Sequence, residues 1–539
     1  MRLLLLVTAL LVLPASADVA VRSVTPGDGA TGVDVEAAVQ IHVPVKPSTG
    51  SLSAKSVRLL TPAGEVVPAM LQTDLGGVIT VSPDEPLRAE TRYTVEVTAG
   101  LKAAGGQAFA PFTSSFTTGA AKPLTDADLA LRFRATKLLA AQGMTRVALG
   151  PDGCLYVGTW EGRLLRHRLD GTTGQVVATE AVYGVERGRI LGMAFDPGAT
   201  AERLVVWLAY DLNAGLSTTP QDESGAVSRL ELGGAAGAVE TKYVTGLLSA
   251  AHALNQVAFG PDGRLYVSQG SMTHLGGRAA EAWEETLVSA AILVADVRSP
   301  AFGGGQLPVD VRPPYDPRKA DAPVRLFATG VREAYGLCWH SSGHLFAASN
   351  MNDTTAKTPP LPGVPGFNVQ PDEPLMLVKE GRYYGHPNPA RGQLVLLGGN
   401  PTAGKDPWEV PNYPVGTKPD PDFDPSLLIA NLVGVGGQSA DGLAEYTAAG
   451  PLKGRLLACF YTTARTVHAF ELSADGRRVV DSRPLRDEAG KRLKFPSPID
   501  LAVDGRTGRI YVVDFADPRR KDSAGAGAVW MLTPAGGAK

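Results

Sequence analysis

The stretch His252–Gln269, HALNQVAFGPDGRLYVSQ, decides the fold. It sets a histidine before a short apolar run, breaks that run with a Gly-Pro-Asp-Gly turn, and resumes with a second run rich in β-branched and aromatic residues, the grammar of a β-hairpin. The unit returns along the chain: Pro151–Gly153 leads into CLYVG, Ser341–Gly343 into HLFAA and Asp504–Gly508 into RIYVV. Repetition of a hairpin that cannot bury its own face marks a β-propeller, in which each sheet covers its neighbour. Strand-rich units centre on Val147–His167, Ile190–Leu232, Leu254–Val297, Val324–Val378, Ala440–Leu472 and Pro498–Leu532. The expectation is an all-β chain whose residues 129–535 form a six-bladed β-propeller.

Residues 18–119 follow a different pattern. VTPGDGATGVDV, AVQIHVPV, VRLLTPAGEVV, VITVSPDEPLRAETRYTVEVTAGL and FTSSFTTG alternate apolar and polar residues between closely spaced Gly and Pro turns, which predicts a β-sandwich. Tyr93 suits either a tyrosine corner, with its ring in the core and its hydroxyl on nearby backbone, or plain packing. AAKPLTDAD, residues 120–128, reads as a linker stiffened at Pro123. Residues 1–17 read as a secretory signal peptide: Arg2, an apolar run from Leu3 to Leu13, and the small residues Ala15, Ser16 and Ala17 before Asp18. The expected location is therefore periplasmic or secreted. That run is shorter than the ~20 apolar residues of a membrane-spanning helix, and no later run approaches it, so no transmembrane segment is expected.

With 539 residues, 44% of them hydrophobic and 19% charged, the chain is long enough for two cores and too apolar for bulk disorder. A formal net charge of −3 provides no basic field for gripping phosphates, which argues against nucleic acid as a partner. Cys154, Cys338 and Cys459 lie in apolar runs of different units and read as buried fillers, with a disulfide between two of them left open. There is no CxxC motif or Cys/His cluster to speak for structural zinc.

Residues 18–119 resemble the bacterial Ig-like domains that open with P-x-DG-A-x-G-V and close with SFTTG. Such modules space or dock, here to a glycan or a protein partner. Most of residues 130–535 resembles the glucose/sorbosone dehydrogenase family, soluble six-bladed propellers that use pyrroloquinoline quinone (PQQ) with calcium. The likeness is carried by RGRILGMAFDPGATAERLVVWLAY (Arg187–Tyr210), by His252 nine residues before Pro261, by ATGVREAYGLCWHSSGHLF (Ala328–Phe346), by YYGHPN (Tyr383–Asn388) and by IDLAVDGRTGRIYVVD (Ile499–Asp514).

The resemblance implies an exported quinoprotein-type oxidoreductase that oxidises a sugar or polyol by hydride transfer to PQQ. It makes His252 the base, a task that suits an imidazole with its ordinary pKa near 6.5. It makes Arg332 the guanidinium on the cofactor's carboxylate or quinone oxygens, Arg187, Asn350 and Arg465 further cofactor contacts, and the backbone carbonyls of Met351 and Asn352 calcium ligands. The chain departs from the family pattern at several positions. Ala251 stands where the family has a carboxylate before the histidine, Glu333 where it has an asparagine, and Ser497 and Ile499 where it has two arginines. Arg465 is the nearest cation to a family lysine. Losing about three such partners at about 1.5–3 kcal/mol each costs roughly 5–9 kcal/mol of cofactor affinity if nothing compensates.

Two other readings stay open. One is a non-catalytic propeller that binds glycan or protein partners, with the Ig-like domain as spacer. The other is a metal-dependent hydrolase of the lactonase type, to which Glu333 and Asn350 would contribute. His340, His344, His386 and His468 read as structural, Trp160, Trp207 and Trp339 as blade packing, and Asp420, Asp422 and Asp424 as part of a solvated loop.

Overall fold

The structure, a computed structural model, describes residues 19–535 apart from 36, 46, 49–50, 74–77, 104–105, 121–124, 187, 213–224, 235–236, 274–283, 303–306, 309–315, 351–373, 387, 394, 397–408, 411–427, 432–438, 462–464 and 520–526. The expected signal peptide lies outside the described residues. The chain divides into two compact units, residues 1–122 and 123–539.

The first unit is a β-sandwich of two four-stranded sheets. One has the order Ser23–Thr25, Val39–His42, Val78–Pro83, Ala69–Thr73, and the other Ala30–Val33, Phe112–Thr118, Arg92–Val97, Val57–Leu60. Alternation in the sequence becomes alternation in burial: Val39, Ile41, Val57, Leu59, Val95 and Val97 turn inward around Phe109 and Phe116. Tyr93 makes the tyrosine corner. Its buried ring stacks on Phe116 at 6.0 Å and its hydroxyl accepts from the Arg88 amide at 2.8 Å.

The second unit is the propeller: among the described residues it has a small parallel sheet of Val395–Leu396 and Glu409–Val410, and six sheets of four antiparallel strands, the second extended by Leu307–Pro308 in parallel pairing. Their innermost strands are Met144–Leu149, Arg189–Phe195, Leu254–Phe259, Ala334–Trp339, Ala440–Glu445 and Pro498–Val503, which define blades 1 to 6. Each inner strand packs against those of the blades on either side, and that of blade 6 against that of blade 1. The sequence places Val324–Thr329 at the opening of the fourth unit; it is instead the outermost strand of blade 3, paired with Ala291–Ala295. Blade 6 takes its outermost strand from the start of the unit: Phe133–Ala140 pairs with Ala528–Pro534. The first and last strands of the propeller thus share one sheet.

Two local devices repeat. In the Pro-Asp-Gly turns the aspartate holds the turn and reaches the next strand: Asp152 accepts from the Cys154 amide and the Tyr156 hydroxyl, both at 3.1 Å, and Asp262 from the Arg264 amide at 3.0 Å and the Tyr266 hydroxyl at 2.9 Å. Gly153 and Gly263 follow with φ of 74° and 76°, which only glycine adopts without strain. The second device is a register shift in all six inner strands, near the strand start. Bulges there re-aim side chains toward the axis. Gly336 and Gly442 let neighbouring blades close up, since a Cβ on them would sit 2.2 Å from the Asp441 carbonyl and 2.5 Å from the Asp500 Cα.

Cys154, Cys338 and Cys459 are buried free thiols, so no disulfide joins them. His340 bridges Ser342 and the Gly454 carbonyl, each at 2.8 Å, and Trp207 packs in the core with its indole nitrogen on Asp196 at 3.0 Å. Both residues serve the scaffold, in keeping with the sequence.

Candidate active site at the mouth of the propeller

Antiparallel pairing puts the start of each inner strand and the end of the following strand on the same face, opposite the Pro-Asp-Gly turns. His252 precedes the inner strand of blade 3, and Ser271 follows its second strand. Arg332 and Glu333 precede the inner strand of blade 4, and Asn350 follows its second strand. Sequence-distant residues therefore meet at one mouth.

Main-chain bonds fix the meeting. The His252 amide donates to the Ser271 carbonyl at 3.1 Å, the Ser271 amide to the Arg332 carbonyl at 2.8 Å, and the Asn350 amide to the Glu333 carbonyl at 2.8 Å. Arg332, 5% exposed, donates from Nη1 to the Asn350 carbonyl at 3.2 Å. The His252 ring is buried, its Nδ1 lying 2.7 Å from Ser271 Oγ and 3.3 Å from the Ser271 carbonyl. Ser271 Oγ donates to the Thr273 carbonyl at 2.6 Å, so it accepts from the ring. The proton thus sits on Nδ1, and Nε2 is the basic nitrogen. Nε2 faces Glu333 Oε2 at 3.6 Å. The Glu333 carboxyl is pushed up to about 7 by burial, against the pull of Arg332.

A buried support lies behind this group. Glu285, in blade 3, accepts from the Met272 and Thr273 amides at 3.2 and 3.0 Å, from Thr273 Oγ1 at 2.5 Å, from Ser289 Oγ at 2.6 Å and from His386 Nε2 at 3.1 Å. Burial alone would raise its pKa, but His386 and the two hydroxyls hold it below the usual carboxylate range. Glu285 therefore shapes the turn that carries Ser271. His386 keeps its expected structural role, and the YYGHPN segment acts as a brace: Asn388 Nδ2 donates to the Thr286 carbonyl at 2.8 Å.

Toward the axis lies a charged hub absent from the sequence reading. Arg146 of blade 1 is fully buried, donates to the carbonyls of Leu191 and, at 2.6 Å, Tyr335, stacks 3.6 Å from the centre of the Tyr335 ring and lies 3.4 Å from Asp500. Asp500 also accepts from the Val147 amide at 2.9 Å. Asp441 of blade 5 is pushed up to about 8 by burial and then by the charge of Glu333. Asp500 is raised too, mainly by burial, with Arg146 opposing.

At the rim, Trp160 lies between the guanidiniums of Arg189 at 4.5 Å and Arg519 at 4.7 Å, which pair with Asp211 at 2.5 Å and Asp517 at 2.8 Å. The sequence assigns Trp160 to blade packing; it packs on Phe515 at 5.3 Å and also forms part of this face. Arg465 of blade 5 is exposed, at the same end of its blade, with its charge acting on Asp514. The structure thus brings His252, Arg332 and Asn350 together and sets Arg465 in another sector. Arg187, Met351, Asn352 and Asp420, Asp422 and Asp424 lie outside the described residues. Among the described residues no group of three or more His, Cys, Asp or Glu is arranged to hold a metal ion.

Residues 15–118 match the family model of the bacterial Ig-like domain. No curated protein matches the chain. Among solved structures, the chain is similar to the PQQ-bound aldose sugar dehydrogenase of Streptomyces coelicolor, at 16% identity over 75% of this chain and 98% of that one, with a TM-score of 0.43. It is also similar to the PQQ domain of pyranose dehydrogenase from Coprinopsis cinerea, at 14% identity over 74% and 95% with a TM-score of 0.44. A third similarity is to a carbohydrate-active enzyme of family AA12 from Trichoderma reesei, at 16% identity over 75% and 96% with a TM-score of 0.49.

Proposed function

We propose that this chain is an exported oxidoreductase that oxidises a sugar or polyol at the mouth of its propeller, with His252 as the base. The observation that carries the reading is the imidazole itself: Ser271 holds its Nδ1–H, which leaves Nε2 as the basic nitrogen, facing Glu333, the residue that follows the buried Arg332. A base of this kind contributes about 10²–10⁴-fold to rate by taking a hydroxyl proton as the adjacent C–H bond breaks.

PQQ is the cofactor this reading implies, and the donor set fits it. Arg332 is the buried cation of the group, and a guanidinium beside the Asn350 carbonyl suits a planar, carboxylate-bearing guest. When bound, the quinone supplies the hydride acceptor. Arg332 and Asn350 would hold it, with Arg187 as a further contact, while Arg465 stands in another sector beside Asp514. His252 would orient the substrate hydroxyl and take its proton at Nε2. Calcium belongs to the same proposal, through the carbonyls of Met351 and Asn352.

Absorbance titration with PQQ and Ca²⁺, followed by dye-linked sugar oxidation, tests the reading. Saturable binding and turnover that His252→Ala lowers at least about 100-fold are expected; saturable binding with undiminished turnover in that variant removes His252 as base. A propeller that binds a glycan without turnover is the second reading, favoured by the ion pairing that already neutralises Arg189 and Arg519 at the rim.

A further inference from the structure

Nothing beside His252 in sequence supplies a carboxylate, since Ala251 precedes it and Ala253 follows it. A carboxyl reaches it from the next blade instead. We propose that His252 and Glu333 form a proton-sharing dyad across blades 3 and 4, with Glu333 as the positioning residue that sets the orientation and protonation of the base. The inference rests on the reading of His252 as the base.

Three observations carry it. First, the ring is held at one nitrogen and faced at the other: Nδ1 is bonded to Ser271 Oγ at 2.7 Å and Nε2 faces Glu333 Oε2 at 3.6 Å, an approach of the kind that tightens when a site is occupied. Second, the separation is fixed by backbone. Ser271 takes its place from the bond of its amide to the Arg332 carbonyl, one residue before Glu333, while the Glu333 carbonyl accepts from the Asn350 amide at 2.8 Å and Ser349 Oγ at 2.9 Å. Third, the surroundings favour a single shared proton. Glu333 is flanked by Arg332, its neighbour in the chain, by Tyr335, and by Asp441 of blade 5, behind which Asp500 and Arg146 form their own pair. Asp441 opposes a second negative charge, and Arg332 opposes a fully neutral group. An ionised Glu333 stabilises the imidazolium that forms when His252 takes a proton, and a protonated Glu333 leaves Nε2 as acceptor.

The test is NMR of protein carrying isotope-labelled histidine and glutamate, without cofactor or substrate. In the wild type, the His252 ring nitrogens should report the Nδ1–H tautomer at high pH. The Glu333 side-chain carbonyl carbon and the His252 ring should then move in one common transition near neutrality. Glu333→Gln should lower the His252 midpoint by about one pH unit or more, and Glu333→Asp should restore part of the shift. A Glu333 carboxyl that titrates in the ordinary carboxylate range, independently of His252, overturns the dyad in the wild type alone, even if the variants fold poorly. An unmoved His252 midpoint in folded Glu333→Gln overturns it as well. The two readings fail separately: a shared transition in a protein that binds no PQQ retires the oxidoreductase and keeps the dyad, whereas His252-dependent oxidation without a shared transition retires the dyad alone.

Discussion

Asp441 carries its carboxyl into a buried hub where Glu333 and Asp500 already bear acid groups, and its pKa rises to about 8. The sign follows from linkage: the folded state binds a proton there that the unfolded state, with its carboxyl near 3.8, has released, so stability falls as pH rises from about 4 through about 8. Asp441→Asn should flatten that fall, which urea unfolding at about pH 4, 6 and 9 would show as a gain over the wild type that grows from about pH 4 to pH 9. His468 acts at the other end. Burial, with Arg492 and Arg486 adding to it, lowers its pKa to about 3, so its contribution is lost as pH drops below about 6.5. His468→Phe should reduce acid sensitivity between about pH 6 and 4 in the same assay. Residues of the mouth differed in how far they could be read in advance. His252, Arg332 and Asn350 sit at fixed offsets from a turn or inside a motif, so their meeting was legible in one dimension. Ser271, Glu285, Arg146 and Asp441 were not: Glu285 meets His386 across 101 residues, and no local pattern encodes that contact.

Among the elements, the Pro-Asp-Gly hairpin was the easiest to read because its aspartate, glycine and tyrosine all act within a few residues of one another. Asp262→Ala removes the acceptor of both the Arg264 amide and the Tyr266 hydroxyl and should cost about 1–2 kcal/mol, measured as a shift in the denaturant midpoint. The outermost strands were harder. Val324–Thr329 follows no hairpin turn and carries no mark of the sheet it joins, so the sequence grouped it with the strands after it rather than those before. The inner-strand glycines state a steric limit. Gly442→Ala would press a methyl group to 2.5 Å from the Asp500 backbone and should destabilise the propeller by about 1–3 kcal/mol, with the Arg146–Asp500 pair displaced.

Across the whole molecule, a β-sandwich and a propeller each keep a core of their own, so differential scanning calorimetry of the full chain should resolve two transitions, and residues 19–122 expressed alone should retain the first. The propeller's own cohesion depends on Phe133–Ala140, the strand that completes blade 6 from the far end of the unit. Joining sequence-distant strands is slow, because a long loop must close before any contact rewards it. While the chain is being made, this strand emerges first and finds its partner, Ala528–Pro534, last. A nascent propeller therefore stays an open row of blades until its last blade has been made. Until that closure the blades at the two ends of the row each keep one uncovered flank.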